Sequence, residues 1–121
     1  MLRQTARTTL YAARNAHDVA VVIKTPTQAV PSMREIARYR WAFDQAQDAD
    51  RRAVVPHLEL MRHGASVAMV VEDIGGVSLA GLVAPAGLAL GRLLDLAVDL
   101  ATLLGRLHLS GIVHKDIKPS N

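Results

Sequence analysis

The stretch from Leu88 to Leu109 constrains this chain more than any other. Leu93, Leu96, Leu100, Leu103, Leu104 and Leu107 recur at helical spacing, while Arg92, Asp95, Asp99, Thr102 and Arg106 take the other side. That period predicts one amphipathic helix whose leucine face must be buried against something. Gly111 is placed to stop it, because glycine enters the left-handed conformation of a helix C-terminus without steric cost. Ile112 and Val113 then lead extended into a polar ending.

The upstream half reads differently. Ala20 to Ile23 is a short β-branched run that ends in Lys24 and is followed by Pro26, which predicts a strand. Thr8 to Arg14 would be its hairpin partner across a turn at Asn15 to Asp18. Pro31, Ser32 and Glu35 announce a helix running to about Ala49, with Ser32 capping free N–H groups and the Glu35 carboxylate reaching back as a capping box. Val54 to Met61 and Val67 to Glu72 predict a second hairpin with a polar turn at Arg62 to Ser66, and Pro56 puts its first strand at an edge or near its start. Residues 8 to 72 should therefore form an antiparallel sheet of four or so strands with the Ser32 helix packed on it, an α+β arrangement.

Composition narrows the function classes. With 121 residues, 50% of them apolar, the chain can bury the core of one ordinary domain. The net charge of +3 comes from scattered arginines and aromatic residues are only 3%, which argues against nucleic-acid binding by stacking. The densest basic stretch is Arg34, Arg38 and Arg40 beside Tyr39 and Trp41; it reads as a solvated helix face, with a phosphate-tracking role as the alternative. The absence of cysteine excludes disulfides and cysteine metal sites and fits a reducing, cytoplasmic setting. His108 and His114 have no third ligand near them in sequence, so a metal site there is the weaker reading. Ile74 to Gly91 is uncharged, but five glycines and Pro85 make it turns and a short helix, not a membrane span. Met1 to His17, with Arg3, Arg7 and Arg14 and no acid, fits an organelle presequence as well as the start of a sheet.

The chemistry lies in the last eight residues, His114 Lys115 Asp116 Ile117 Lys118 Pro119 Ser120 Asn121. Phosphoryl transfer to a hydroxyl needs a carboxylate to orient the hydroxyl and take its proton, a cation near the moving phosphate, and an oxygen ligand for magnesium. Asp116, Lys118 and Asn121 offer these in that order. By composition alone the same residues also describe a solvated loop after a helix.

This octapeptide resembles the catalytic loop of protein kinases, with lysine two and asparagine five residues after the aspartate; the departure is Lys115, where the family usually has arginine. That arginine holds a phosphorylated activation loop in many members, so the change puts control by that route in doubt. Val21 Val22 Ile23 Lys24 resembles the strand whose lysine grips the α- and β-phosphates of ATP. Val71 Glu72 Asp73 Ile74 Gly75 Gly76 resembles the strand end and hinge that hold adenine, which assigns the adenine contacts to the main chain of Glu72 and Ile74. The resemblance implies a serine/threonine kinase, since Lys118 favours that side over tyrosine kinases. It runs from about Thr8 to Asn121 and spans only the first half or so of such a domain, with residues 1–76 as small lobe and hinge and 77–121 as the start of the larger lobe. Lys24 should then lie within roughly 7 Å of the hinge, about two residue lengths. The hinge, Lys115 and the isoleucine, lysine, proline run look most like the kinase-like domain at the front of large bacterial signalling proteins that also carry an ATPase module and a sensor histidine kinase.

Three of that family's parts are missing or altered. No glycine occurs before Gly64, so the glycine-rich loop that cradles phosphates is absent, and these residues contain no aspartate, phenylalanine, glycine motif to hold Mg2+. Glu35 lies too soon after Lys24 to be its helix partner; an ungapped reading puts Ala42 there, and Asp44 is the alternative with a slipped register. The resemblance thus implies ATP and Mg2+ as cofactors of a complete domain, with a protein substrate or downstream signalling domains as partners, and no activity from these residues alone. A binding module without transfer activity is the rival reading. A small-molecule kinase is a third, which Lys118 argues against. With nothing in the 121 residues set to cover it, the leucine face of the Leu88 to Leu109 helix is expected to leave the chain marginal and prone to self-association.

Overall fold

The computed structural model describes residues 2–83 and 87–120. The chain divides into two compact units, one of residues Met1–Asp48 and Val54–Ile74, the other of Ala49–Ala53 and Gly75–Asn121.

The first unit is a five-stranded antiparallel sheet with one helix. β1 (Arg3–Gln4), β2 (Thr8–Arg14), β3 (Ala20–Pro26), β4 (His57–His63) and β5 (Ser66–Glu72) lie in the order β1-β2-β3-β5-β4. The short β1 strand is additional to the expected four. β4 begins at His57, three residues later than the apolar run suggested, and sits at the sheet edge, where Pro56 does not interrupt a ladder. The Pro56 carbonyl instead accepts a hydrogen bond from the Glu72 N–H at 3.0 Å. In the β2–β3 turn the Asn15 carboxamide oxygen accepts from the N–H groups of His17 and Val19 at 2.9 and 3.0 Å, so the side chain supplies the turn's missing ladder bonds. The β4–β5 turn narrows to Gly64 and Ala65, with Gly64 at φ +58°, a conformation that favours glycine.

α1 (Met33–Asp48) starts as expected: the Glu35 N–H donates to Ser32 Oγ at 3.2 Å. The reciprocal half of the capping box is not made among the described residues. The Glu35 carboxylate turns forward to Arg38, 3.6 Å away, an i,i+3 ion pair on the helix surface. Tyr39, Val67 and Met69 form the core, with Ile36, Phe43, Leu60 and Val71 packed around them. Met69 is 1% exposed and Tyr39 3%, and burial pushes the Tyr39 phenol pKa up.

His57 is also held by this packing. Its Nδ1 lies 2.8 Å from the Val55 carbonyl, and the Gln47 amide donates to the His57 carbonyl at 2.9 Å. Burial pushes its pKa below the usual 6.5, the Val55 bond opposes that, and the Lys24 charge adds to the lowering. A histidine whose folded pKa is depressed stabilises the fold above the unfolded value, and that stability is lost as pH falls from about 6.5 through the folded pKa. Urea melts at pH 7.5 and 5.5 should therefore show wild type losing stability on acidification and His57→Gln losing less; equal losses would remove His57 as a cause.

In the second unit, α2 (Leu79–Leu82) is a single turn and α3 (Leu90–Leu109) is the long helix foreseen from its leucines. It ends in a Schellman motif: the Gly111 N–H reaches the His108 carbonyl and the Ile112 N–H the Leu107 carbonyl, both at 2.9 Å, with Gly111 at φ +74°. Arg106 binds Asp50 at 3.0 Å, tying α3 to the 49–53 segment. The N–H of Arg52, then the Arg106 guanidinium, hold the Asp50 pKa below its usual value. The leucine face is not uniformly bare. Leu107 is buried and Leu96, Leu103 and Leu104 are half-buried, whereas Leu90, Leu93, Leu94, Val98 and Leu100 are exposed.

Candidate functional site

Each unit positions its own share of the residues singled out by sequence. In the first, the register fixes where Lys24 stands. It lies opposite Leu10 on one side and Met69 on the other, and Val22 lies opposite Ala12 and Val71. Residues directly opposite in an antiparallel sheet point to the same face. Lys24 and Val22 therefore share the face of Met69 and Val71, the one on which α1 packs, and Ile23 and Thr25 take the other. The lowered pKa of His57 is consistent, since the Lys24 ammonium contributes to it.

The expected 7 Å between Lys24 and the hinge is not met. Val21, not Lys24, is opposite Glu72, and three residues of strand separate them, about 10 Å at a strand's rise per residue. The expectation was too short because the ladder register sets the separation: Lys24 pairs with Met69, three residues before Glu72. At the hinge, the Glu72 N–H is engaged by Pro56 and the Asp73 N–H by the Ala20 carbonyl at 3.3 Å. The main-chain N–H and C=O of Ile74 make no hydrogen bond among the described residues.

The two α1 candidates for the helix position opposite Lys24 differ in exposure. Ile36, Tyr39 and Phe43 line its sheet-facing side; Ala42 is half-buried beside them, and Asp44 is exposed. Glu35 is occupied at the N-terminus with Arg38.

The β1–β2 turn holds a feature that sequence reasoning missed. Thr5 Oγ1 accepts from the N–H groups of Arg7 at 3.3 Å and Thr8 at 3.0 Å, and the Thr5 N–H donates to the Thr8 carbonyl at 2.8 Å. A threonine hydroxyl thus occupies backbone donors that a phosphate cradle would need free. The signal was present as a Thr-Ala-Arg-Thr turn sequence, but only the strand pairing of Arg3 with Leu10 shows that it is a hairpin tip.

In the second unit, the chain leaves α3 and runs without regular structure through residues 112–118. Lys118 Nζ donates to both oxygens of Asp116 at 2.9 Å, a symmetric clamp in which both side chains are exposed, 48% and 62%. Such an exposed pair contributes about 0–1 kcal/mol to stability, so it orients the carboxylate more than it holds the fold. The Asp116 N–H donates to His114 Nδ1 at 3.3 Å, and Lys115 has φ +60°. The Ala80 N–H donates to the Pro119 carbonyl at 2.6 Å, anchoring the loop's end to α2. Asn121, the candidate magnesium ligand, lies outside the described residues. Magnesium takes six oxygens in near-octahedral array, and no group of three acidic or histidine side chains comes together among the described residues.

The fold is that of protein kinase domains. The kinase domain of PknI from M. tuberculosis matches at a TM-score of 0.81 and 19% identity, over 100% of this chain and 50% of that one. Rad53 1-466 in complex with AMP-PNP matches at a TM-score of 0.81 and 21% identity, over 99% of this chain and 32% of that one. In sequence, the serine/threonine-protein kinase pkn2 of Myxococcus xanthus is 36% identical over 69 residues, which is 57% of this chain and 8% of that protein. The chain therefore spans about half of the PknI domain and a small part of pkn2. No protein-family model matches it. No helix among the described residues is long and apolar enough to cross a membrane.

Proposed function

We propose that these residues are the front part of a serine/threonine protein kinase domain, residues 1–76 as small lobe and hinge and 77–121 as the beginning of the larger lobe. In its complete form the domain would transfer the γ-phosphate of ATP to protein hydroxyls. The observation that carries this reading is the Asp116 carboxylate, clamped through both oxygens by Lys118, in the loop that follows α3 of a kinase fold. Asp116 would accept the hydroxyl proton, and Lys118 would steady it and meet the incoming phosphoryl charge. Lys24 would take the α- and β-phosphates, while the Glu72 carbonyl and the Ile74 main chain would take adenine. Asn121 would serve as a magnesium ligand. The reading places the domain in a cytoplasmic signalling protein, of the kind that also carries an ATPase module and a sensor histidine kinase, on the resemblance of its hinge and final loop.

A second reading is favoured by two specific observations, the β1–β2 turn closed by Thr5 and the exposure of Asp44, with Ala42 half-buried. Both fit a module that uses the fold to bind nucleotide or a partner without transfer. Incubation of the 121-residue chain with labelled ATP and a generic basic protein separates the readings. The expected result is no incorporation, because parts that act as one unit fail together when some are absent. Incorporation abolished by Asp116→Ala would establish the site and overturn the expectation of inactivity; a chain extended through a downstream magnesium-binding aspartate that still lacks activity would favour the binding module.

A further inference from the structure

Arg34 and Arg38 lie one turn apart on α1, and both line a cavity of about 510 Å3 that Arg7 reaches from the β1–β2 turn. Gln28, Ser32 and Glu35 add polar walls. Like charges at i and i+4 repel. A third guanidinium brought from a distant segment sharpens that repulsion. The single carboxylate, Glu35, sits 3.6 Å from Arg38, while the Arg7 and Arg34 side chains make no ion pair or hydrogen bond among the described residues. Arg40, which belongs to the same basic stretch in sequence, does not line the cavity, since two residues along a helix turn the side chain away.

We propose that this cavity binds a multiply charged oxyanion, a phosphate monoester or polyphosphate. Guanidinium forks match phosphate oxygens in geometry and stay charged at every physiological pH. Three of them facing one carboxylate leave an excess of positive charge that a dianion neutralises. In the neighbouring turn the Arg7 and Thr8 N–H groups are already taken by Thr5 Oγ1, so side chains carry most of the donors. Arg7 thus brings a guanidinium from this turn to one wall of an anion site. The proposal stands on the sheet unit alone, so its failure would leave the Lys24 and Asp116 reading untouched.

The test is equilibrium dialysis of the 121-residue chain against labelled pyrophosphate, with chloride setting a constant ionic strength. Arg7→Ala and Arg34→Ala should each weaken saturable binding about tenfold or more, the effect of losing charge-assisted hydrogen bonds. Both residues are exposed, so neither change threatens the core. Arg40→Ala should leave binding within about twofold, and Glu35→Gln should tighten it by removing the competing carboxylate. Competition identifies the source of the phosphate: displacement by MgATP points to a nucleotide, and displacement by an O-phosphoserine peptide to a phosphorylated side chain. The proposal is overturned by the absence of saturable binding, by equal losses in Arg40→Ala and Arg34→Ala, or by displacement with adenosine, which carries no phosphate.

Discussion

Replacing Tyr39 with alanine abolishes or nearly abolishes cooperative folding of the sheet unit. Tyr39 is the α1 side chain at the centre of the core, packed with Val67 and Met69 and ringed by Ile36, Phe43, Leu60 and Val71. Removing a buried aromatic ring costs about 3–5 kcal/mol, because lost transfer energy and an unfilled cavity add. An ordinary domain has only about 5–15 kcal/mol in total. Tyr39→Phe is the control. The hydroxyl's bond to Thr8 Oγ1 is 3.5 Å long, at the limit of a useful hydrogen bond, so the phenylalanine variant should lose less than about 1 kcal/mol. Urea titration followed by circular dichroism reads both. An alanine variant with the wild-type midpoint would mean that α1 does not close this core.

The 121-residue chain by itself self-associates through α3. Leu90 is 70% exposed, Val98 65% and Leu94 56%, with Leu93 and Leu100 also exposed, so an apolar stripe runs along the N-terminal half of the helix. Five such side chains at about half exposure together forgo roughly 5 kcal/mol of burial, an upper estimate. Pairing two stripes recovers part of that burial on each partner against the cost of association, which favours oligomers as concentration rises. Sedimentation velocity should show oligomers whose proportion rises with concentration, and Leu94→Glu with Val98→Glu should return the chain to monomer. A wild-type monomer with a sharp thermal transition would refute this, as would oligomers unaffected by those substitutions. The C-terminal half of the same helix behaves differently because Leu107 is buried, a distinction that the leucine spacing did not reveal.

Local signals carried most of the element assignments. The Ser32 cap, the β-branched run ending at Lys24, the glycine after α3 and the edge proline act over a few residues and need no partner from elsewhere. The candidate residues Asp116 and Lys118 were legible for the same reason: two residues apart in one loop, they can meet without help from the rest of the fold. β1 was not legible, because two residues have too little pattern to register as a strand until Leu10 and Thr9 pair with them. The separation of Lys24 from the hinge also lay beyond sequence, since a ladder's register is set by which residues of two distant strands face each other.

The order of the longer elements, the Ser32 cap, the leucine helix and the Asp116–Lys118 pair of the final loop thus follow from the amino-acid sequence itself, where hydrogen bonds and periodicity act within a few residues. Tertiary structure alone decided that Lys24 shares the α1 face of the sheet, that Ala42 is half-buried where Asp44 is exposed, and that Arg7 joins Arg34 and Arg38 around one cavity. Each of those outcomes depends on pairing or packing between segments far apart in the chain. Such contacts form only when the sheet's register and the seating of α1 minimise exposed apolar surface together.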